Sequence, residues 1–145
     1  MPEVLNPTSE WKNSAFTGPL ILEKVSARLW RVHHEFGYWA KLSPEELIIV
    51  PEGFLTDLAS VPRPFWVLIP PDGEYTAAAV VHDLLYSIQD RKRSEADAIF
   101  LWAMRDLGVP TWKRLIMYRA VRFGGFFVWN RRLPGGISVA KGGNI

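Results

Sequence analysis

The chain has 145 residues, of which 48% are hydrophobic and 13% aromatic, and it contains seven tryptophans but no cysteine. This composition is typical of a single globular domain and excludes an intrinsically disordered chain, while the lack of cysteine excludes disulfide bonds, thiolate metal sites and thiol nucleophiles. The net charge is only +2, and no apolar run approaches the roughly 20 residues of a membrane span, so we expect a soluble protein.

The N-terminal third of the chain predicts an extended arm followed by strands. Residues 1–15 contain two prolines and no sustained period, so we expect an arm there. Between residues 30 and 38, apolar and polar side chains alternate, as in a half-buried strand. This alternation places His34 on the apolar face, in the core, and His33 on the opposite face, in solvent. The stretch ELIIV, residues 46–50, predicts a further short strand.

Residues 51–73 combine five prolines with several large apolar side chains. The prolines exclude a long regular element, and the apolar residues are too many for a free loop. We therefore predict a rigid loop packed over the core. Loops of this length usually carry function.

Three helices are predicted after this loop. The first covers about residues 74–89. Ser94 is the expected N-cap of the second, with Asp97 at the capping-box distance, and Gly108 with Pro110 ends it. The third covers about residues 111–123, and the glycine-rich residues 134–145 predict a second arm. Together the elements predict one α+β domain over 1–145: a small antiparallel β-sheet at about 20–50, the packed Pro-rich loop, and a three-helix C-terminal half with an antiparallel helix hairpin.

The first two helices carry the residues best suited to chemistry. Because adjacent helical residues point about 100° apart, His82 and Asp83 serve different neighbours. A catalytic His82 would need its orienting carboxylate from elsewhere, and Asp97 on the next helix is the candidate, with Tyr86 one turn beyond His82. Asp83 would then be free to hold a hard cation such as calcium, with Asp57 as a further ligand.

Each of these residues also has a structural explanation. A helical histidine is more often a hydrogen-bonded core residue, Asp97 suits a helix N-terminus, and Asp57 suits an Asx-turn. A hydrolase requires a His82–Asp97 separation of about 2.6–3.2 Å and an open cleft beside the pair, whereas a separation near 10 Å or a sealed His82 would argue against this class. The sequence lacks the phosphate-loop, dinucleotide, zincin and serine-hydrolase motifs, so those classes are excluded.

The C-terminal region is basic. Residues 105–145 hold eight Lys and Arg residues but a single acid, Asp106. Basic and aromatic residues interleave over 112–132, which favours an anionic membrane surface or another phosphate-bearing partner; the alternative is a solvated basic face. Nucleic-acid binding through this segment ranks lowest. The candidate contact residues are Lys113, Arg114, Arg119, Arg122, Trp129, Arg131 and Arg132.

The stretches VPEGFLTDLASVPRPFW, AAAVVHDLLY and EADAIFLWAMRDLGVPTWKRLIMYRAVRFGG resemble the phage and prophage family catalogued as domain of unknown function 1353, over roughly residues 20 to 125. The resemblance implies a bacteriophage protein, made in the cytoplasm of the host bacterium and available for incorporation into the virion. It implies no activity.

A second, local resemblance joins HDLLY and ADAIF to the helix hairpin of secreted phospholipases A2, particularly the prokaryotic type. It implies that His82 activates water, that Asp83 binds calcium, and that Tyr86 and Asp97 orient the histidine. The chain departs from that family in lacking both the stapling cysteines and a recognisable glycine-rich calcium loop. The two leading hypotheses are thus a calcium-assisted lipid ester hydrolase at a membrane surface and a non-catalytic virion, tail or host-interaction protein.

Overall fold

The computed structural model describes residues 4–5, 15–27, 29–42, 44–57, 64, 67 and 75–131. In this part of the chain, strands precede helices, and the predicted α+β class is confirmed. The strands are β1 (Val4–Leu5), β2 (Leu22–Ser26), β3 (Leu29–Val32), β4 (Phe36–Ala40), β5 (Glu46–Val50) and β6 (Leu55–Thr56). The helices are α1 (Thr76–Ile88), α2 (Arg93–Asp106) and α3 (Thr111–Arg131).

The strands form two small antiparallel sheets. One has the order β1-β2-β3-β6, and the other is the β4-β5 hairpin, in which Tyr38 pairs with Ile48. In the first sheet Trp30 pairs with Thr56, which brings β6 beside β3. Strand β1 lies inside the stretch expected to be an arm, where it pairs with β2.

The prediction of one continuous strand through residues 30–38 is wrong. The chain leaves β3 after Val32, crosses three exposed polar residues, and enters β4 in the other sheet. His34 is therefore exposed, contrary to its predicted place in the core, while the prediction for His33 is confirmed. The reason is that three consecutive polar side chains are solvated more favourably in a bend than half-buried in a ladder.

Helix α1 is the central element of the fold. Every residue from Thr76 to Ser87 is buried, as expected of a helix covered on all sides. Its small residues, AAAVV, let neighbouring elements approach closely. The helix ends at Gln89, which adopts a left-handed conformation with φ of 55°.

The boundaries of the other two helices differ from prediction. Helix α2 begins at Arg93, and its N-cap, Lys92, makes no side-chain capping bond, so the predicted capping box at Ser94 is wrong. Its end is as predicted: Gly108 has φ of 83° and its N–H donates to Arg105 O. Helix α3 continues about two turns beyond residue 123, because Gly125 and Val128 pack inward and extend its buried face.

The core joins the sheets to the helices through large buried side chains. Phe54 is fully buried, as predicted for the Pro-rich loop. The other large side chains predicted to pack there (Leu58, Phe65, Trp66 and Leu68) lie outside the described residues, as does the arm at 134–145. Among the helices of the described chain, none is long and apolar enough to cross a membrane.

Candidate active site at the helix hairpin

A buried histidine–carboxylate pair lies on the seam between α1 and α2. The two helices are joined by four residues, 89–92, so the first turns of α2 pack beside the end of α1. His82 Nε2 is 2.7 Å from Asp97 Oδ1. This distance is within the range that the sequence analysis required of a hydrolase.

Asp97 is the centre of a larger group that we call the Asp97 cluster: His82, Tyr86, Arg93, Asp97 and Arg122. The Tyr86 hydroxyl donates to Asp97 Oδ1 at 2.7 Å. On the other oxygen, Oδ2, Arg122 Nη1 donates at 2.7 Å and Arg93 Nη1 at 3.3 Å. Both carboxylate oxygens are thus satisfied, and three helices contribute to one buried group.

These contacts determine the ionisation of Asp97. Burial by itself would raise the pKa of this carboxyl group, but the hydrogen bonds from His82, Tyr86 and Arg122 outweigh burial and hold its pKa below the ordinary value. Tyr86 responds oppositely: burial, together with its bond to Asp97, raises the pKa of its hydroxyl group. The cluster therefore contains a carboxylate and a neutral phenol.

The ionised carboxylate determines the tautomer of the histidine. A carboxylate can only accept a hydrogen bond, so Nε2 of His82 carries the proton and donates it to Asp97. In the neutral ring, Nδ1 then carries a lone pair. This nitrogen is buried and has no hydrogen-bond partner within the described residues. A histidine can act as a general base when a hydrogen bond at one ring nitrogen fixes its tautomer and the other nitrogen carries a lone pair that can accept a proton. Nε2 and Nδ1 of His82 meet these two conditions.

The site is closed in this conformation. His82, Asp83, Tyr86 and Asp97 each have no exposed surface, so the open cleft expected beside His82 is absent. The imidazole lies between two aromatic rings, 4.3 Å from Tyr86 and 4.6 Å from Phe100 between ring centroids. The physical reason is that α1 is covered on all sides, which buries the histidine together with its partners.

The two acids predicted to bind a metal occupy different environments. Asp83 is buried and its Oδ2 accepts a 2.7 Å hydrogen bond from the hydroxyl group of Thr56 on β6. Asp57 follows Thr56 in the chain and is exposed. Within the described chain, no three His, Asp or Glu side chains converge as a metal-binding group.

The predicted basic contact residues separate into inward and outward groups. Arg122 bonds to Asp97, Arg114 Nη1 donates to Val109 O, and half-buried Trp129 packs edge-on against Tyr86 at 5.1 Å between ring centroids. Lys113 Nζ lies 5.5 Å from the Tyr75 ring centroid. Arg119 and Arg131 are exposed. Arg132 lies outside the described residues.

The outward side of α3 is apolar and aromatic. Its exposed large side chains are separated by helical spacings of three, four, seven or eleven residues, so they share one side. We call this surface the α3 apolar face; it consists of Trp112, Leu115, Ile116, Phe123, Phe126 and Phe127. Phe123 is 85% exposed and Phe127 68%. Arg119 lies within the face and Arg131 beyond its C-terminal end.

Two functional neighbours of the site were missed by sequence reasoning. Arg93 precedes Asp97 by four residues, a spacing that favours an ion pair on a helix and could have revealed it. Gly125 approaches Tyr86 so closely that a Cβ atom there would overlap the phenolic oxygen. The predicted helix ended before this residue, so the sequence gave no sign of the contact.

The fold and the site together define a class: a small α+β protein whose central helix holds a buried histidine on the carboxylate of a neighbouring helix. Residues 30–121, more than half of the chain, match the family described as "Protein of unknown function (DUF1353)". The chain belongs to this family, as the sequence resemblance indicated.

A curated relative extends this relationship. The chain is 40% identical over 74 residues to "Uncharacterized protein y4jT" of Sinorhizobium fredii. The match covers 50% of this chain but only 22% of the relative, so the shared segment is a minor part of that longer protein. No solved structure matches the chain significantly.

Proposed function

We propose that this protein is a hydrolase of lipid esters in which His82 is the general base and Asp97 its orienting carboxylate. One observation carries the proposal: His82 Nε2 is bonded to Asp97 at 2.7 Å while the buried Nδ1 has no partner within the described residues. A buried polar atom without a partner costs about 1–3 kcal/mol in stability, and a base that must accept a proton from water explains that cost.

The proposed reaction uses the described side chains as follows. Nδ1 of His82 takes a proton from a water molecule, whose oxygen attacks the ester carbonyl carbon. The carbonyl π electrons move to its oxygen, and they return as the bond to the leaving alkoxide breaks. The imidazolium then gives its proton to that alkoxide, which yields a free acid and an alcohol. Asp97 stabilises the imidazolium throughout, and Tyr86 fixes the carboxylate.

The complete burial of His82 sets a requirement on this proposal. The described conformation does not meet the open-cleft condition, so the proposal requires a second conformation in which the elements around α1 separate and water and substrate reach Nδ1. A lipid surface is a reasonable agent of such opening, because it can bind differentially to the open state.

The α3 apolar face supports a lipid surface as the partner. Exposed phenylalanine and tryptophan side chains with flanking arginines are typical of helices that lie in a membrane interface. The surrounding charge is positive, since Asp106 is the single acid after residue 104. Anionic lipids therefore suit this face better than neutral ones.

Calcium enters the proposal only through Asp83. Calcium takes six to eight oxygen ligands in proteins, whereas two carboxylates together provide at most about four. Asp83 and Asp57 are the two carboxylates proposed as ligands, and in the described chain they belong to no group of three or more possible ligands. The proposed steps therefore use only protein side chains, and the comparison of calcium with a chelator tests whether the ion takes part.

The decisive measurement is fatty-acid release from mixed vesicles rich in anionic lipid, with calcium and with a chelator. The test variant is His82→Gln, because glutamine keeps an N–H donor for Asp97 and lacks a basic nitrogen. The matched control is His34→Gln, on an exposed residue away from the site. We expect release by the native chain and the control, and a loss of about 10²–10⁴-fold in His82→Gln.

Equal release from all three proteins, or none from the native chain, would contradict the hydrolase. The chelator arm decides separately whether calcium takes part. Circular dichroism and thermal unfolding of His82→Gln must match the native chain for its loss of activity to count.

A second candidate is a non-catalytic bacteriophage protein, such as a virion or tail component or a factor acting on the host. The observation that favours it is the complete burial of His82, Asp83 and Asp97, which is what a structural polar cluster requires. Under this alternative, the native chain releases no fatty acid from vesicles in any condition, and the protein co-purifies with assembled phage particles.

A further inference from the structure

We propose that Arg122 and Arg93 are positioning residues for the His82–Asp97 pair, and that helix α3 is thereby part of the site. This inference rests on the proposed function. The inference also goes beyond the proposed function, because the proposed reaction involves only His82, Asp97 and Tyr86.

Arg93 connects α2 to α3 through the backbone. Its Nη1 lies 3.3 Å from Asp97 Oδ2 and donates at 3.1 Å to Val121 O. Its Nη2 donates at 3.1 Å to Arg122 O. The guanidinium is thus held in place by two carbonyl groups of α3 and offers a fixed positive charge to the carboxylate.

Arg122 makes the shorter contact and is the more accessible of the two. Its Nη1 is 2.7 Å from Asp97 Oδ2, while its side chain remains 34% exposed, compared with 18% for Arg93. The Asp97 cluster therefore meets solvent through its two guanidinium groups, and mainly through that of Arg122. It is also the member of the cluster whose removal disturbs packing least.

The two arginines divide the carboxylate into two halves with different roles. Oδ2 faces the guanidinium groups, so Oδ1 is left for His82 and Tyr86. This arrangement fixes the rotation of the carboxylate and keeps it ionised when His82 accepts a proton. His82 then remains the proton carrier, because Asp97 does not compete for the proton.

The charged and titratable groups that face Asp97 come from every helix packed against it. His82 and Tyr86 are contributed by α1, Arg93 by α2 and Arg122 by α3. Removing one guanidinium leaves one positive charge in place. The expected result is therefore a change in the acid titration of Asp97 with retention of the fold.

The test compares Arg122→Gln with Arg119→Gln in the full chain. Both remove one positive charge from α3, but Arg119 is exposed and lies one turn away. Carbon-13 NMR follows the Asp97 carboxyl carbon as a function of pH. We expect its titration midpoint to move to higher pH in Arg122→Gln, to stay at the native position in Arg119→Gln, and to return towards it in Arg122→Lys.

Vesicle hydrolysis provides the second readout. We expect kcat of Arg122→Gln to fall by up to about a hundredfold, with the acid limb of its pH profile moved upward and KM nearly unchanged. The control for hydrolysis is Arg31→Gln, which removes an exposed guanidinium on β3 and should keep the native profile. An Asp97 titration in Arg122→Gln that superimposes on the native curve overturns the inference. If the native chain hydrolyses no lipid, the proposed function is refuted but the inference about the arginines is not. The NMR titration of Asp97 still tests that inference.

Discussion

Gly125 on α3 lies directly against the phenol ring of Tyr86 on α1. A Cβ atom at position 125 would overlap the Tyr86 hydroxyl oxygen and lie 3.1 Å and 3.2 Å from two of its ring carbons. The same hydroxyl donates to Asp97. The absence of a side chain at Gly125 is therefore what lets the tyrosine reach the carboxylate while α3 packs against α1.

Gly125→Ala is expected to destabilise the protein by about 1–3 kcal/mol, despite the higher helix propensity of alanine, because the new methyl group displaces the Tyr86 hydroxyl or the helix. Tyr86→Phe alone removes the hydrogen bond to the Asp97 carboxylate and should lower the free energy of unfolding by about 1.5–3 kcal/mol. The double variant should be less destabilised than the sum of the two, since removal of the oxygen relieves the worst overlap. Denaturant unfolding of all four proteins measures this coupling.

Gly18→Ala is the matched control, because a Cβ atom there meets nothing within 4 Å. It should leave the free energy of unfolding nearly unchanged. Strict additivity of Gly125→Ala and Tyr86→Phe would show that the two residues do not share the contact.

Asp97→Asn is expected to destabilise the fold by about 2–4 kcal/mol, less than for a wholly buried ion pair because both guanidinium groups are partly exposed. The folded pKa of Asp97 is lowered, so its contribution is present above about pH 4 and is lost as the pH falls below that value. Chemical unfolding from neutral to acid pH should show a decline in the native chain that is shallower in Asp97→Asn.

Glu95→Gln, on the exposed side of the same helix, is the control for this measurement. It should retain both the stability at neutral pH and the native decline in acid. If Asp97→Asn declines in acid as steeply as the native chain, then the carboxylate is not the source of that decline.

The buried tyrosines predict a loss of stability in alkali. Burial, with the hydrogen bond to Asp106 second, raises the pKa of Tyr38, and burial likewise raises that of Tyr86. Both remain neutral in the fold but ionise in the unfolded chain near pH 10, so their contribution is present below about pH 10 and is lost as the pH rises above it. The free energy of unfolding, measured between about pH 9 and 12, should fall less steeply in Tyr38→Phe than in the native chain.

Tyr118→Phe, at a half-buried position of α3, serves as the comparison. At neutral pH, Tyr38→Phe should lower the free energy of unfolding by about 1.5–3 kcal/mol. The reason is that it removes the 2.7 Å hydrogen bond between Tyr38 and Asp106, which joins β4 to α2. If the free energy of unfolding of Tyr38→Phe falls in alkali as steeply as that of the native chain, then Tyr38 is not a source of the alkaline loss of stability.

The α3 apolar face predicts vesicle binding. Replacing Phe123, Phe126 and Phe127 by serine removes side chains that are 54–85% exposed, so the free energy of unfolding should change little. The affinity for anionic vesicles should fall by about tenfold or more, since these rings supply the apolar area that enters the interface. Sedimentation with vesicles measures the affinity directly.

The control for the triple variant is Trp39→Ser with Ile49→Ser, since these residues are each 40% exposed on the β4-β5 sheet. It should keep the native vesicle affinity. Equal losses in both variants would mean that no particular face binds lipid, and retention by the triple variant would assign the face another partner.

The sequence by itself determined the fold class, α1 and the His82–Asp97 contact. Helical periodicity separates the faces of His82 and Asp83, and a short connection brings the next helix alongside. These are local rules, so they can be applied before any tertiary structure is known. The same rules failed at His34, where three polar residues bend the chain out of the first sheet, and at Ser94, where α2 begins one residue earlier.

Only the tertiary structure decided what surrounds that contact. Arg122 is 25 residues from Asp97 and 40 from His82 in the chain, and no spacing rule connects residues so far apart. The extension of α3 through Gly125, the inward orientation of Trp129 and the complete burial of His82 depend on the close packing of α3 against α1 and α2. Such packing is determined by long-range shape and volume, which a periodic pattern along one segment does not contain.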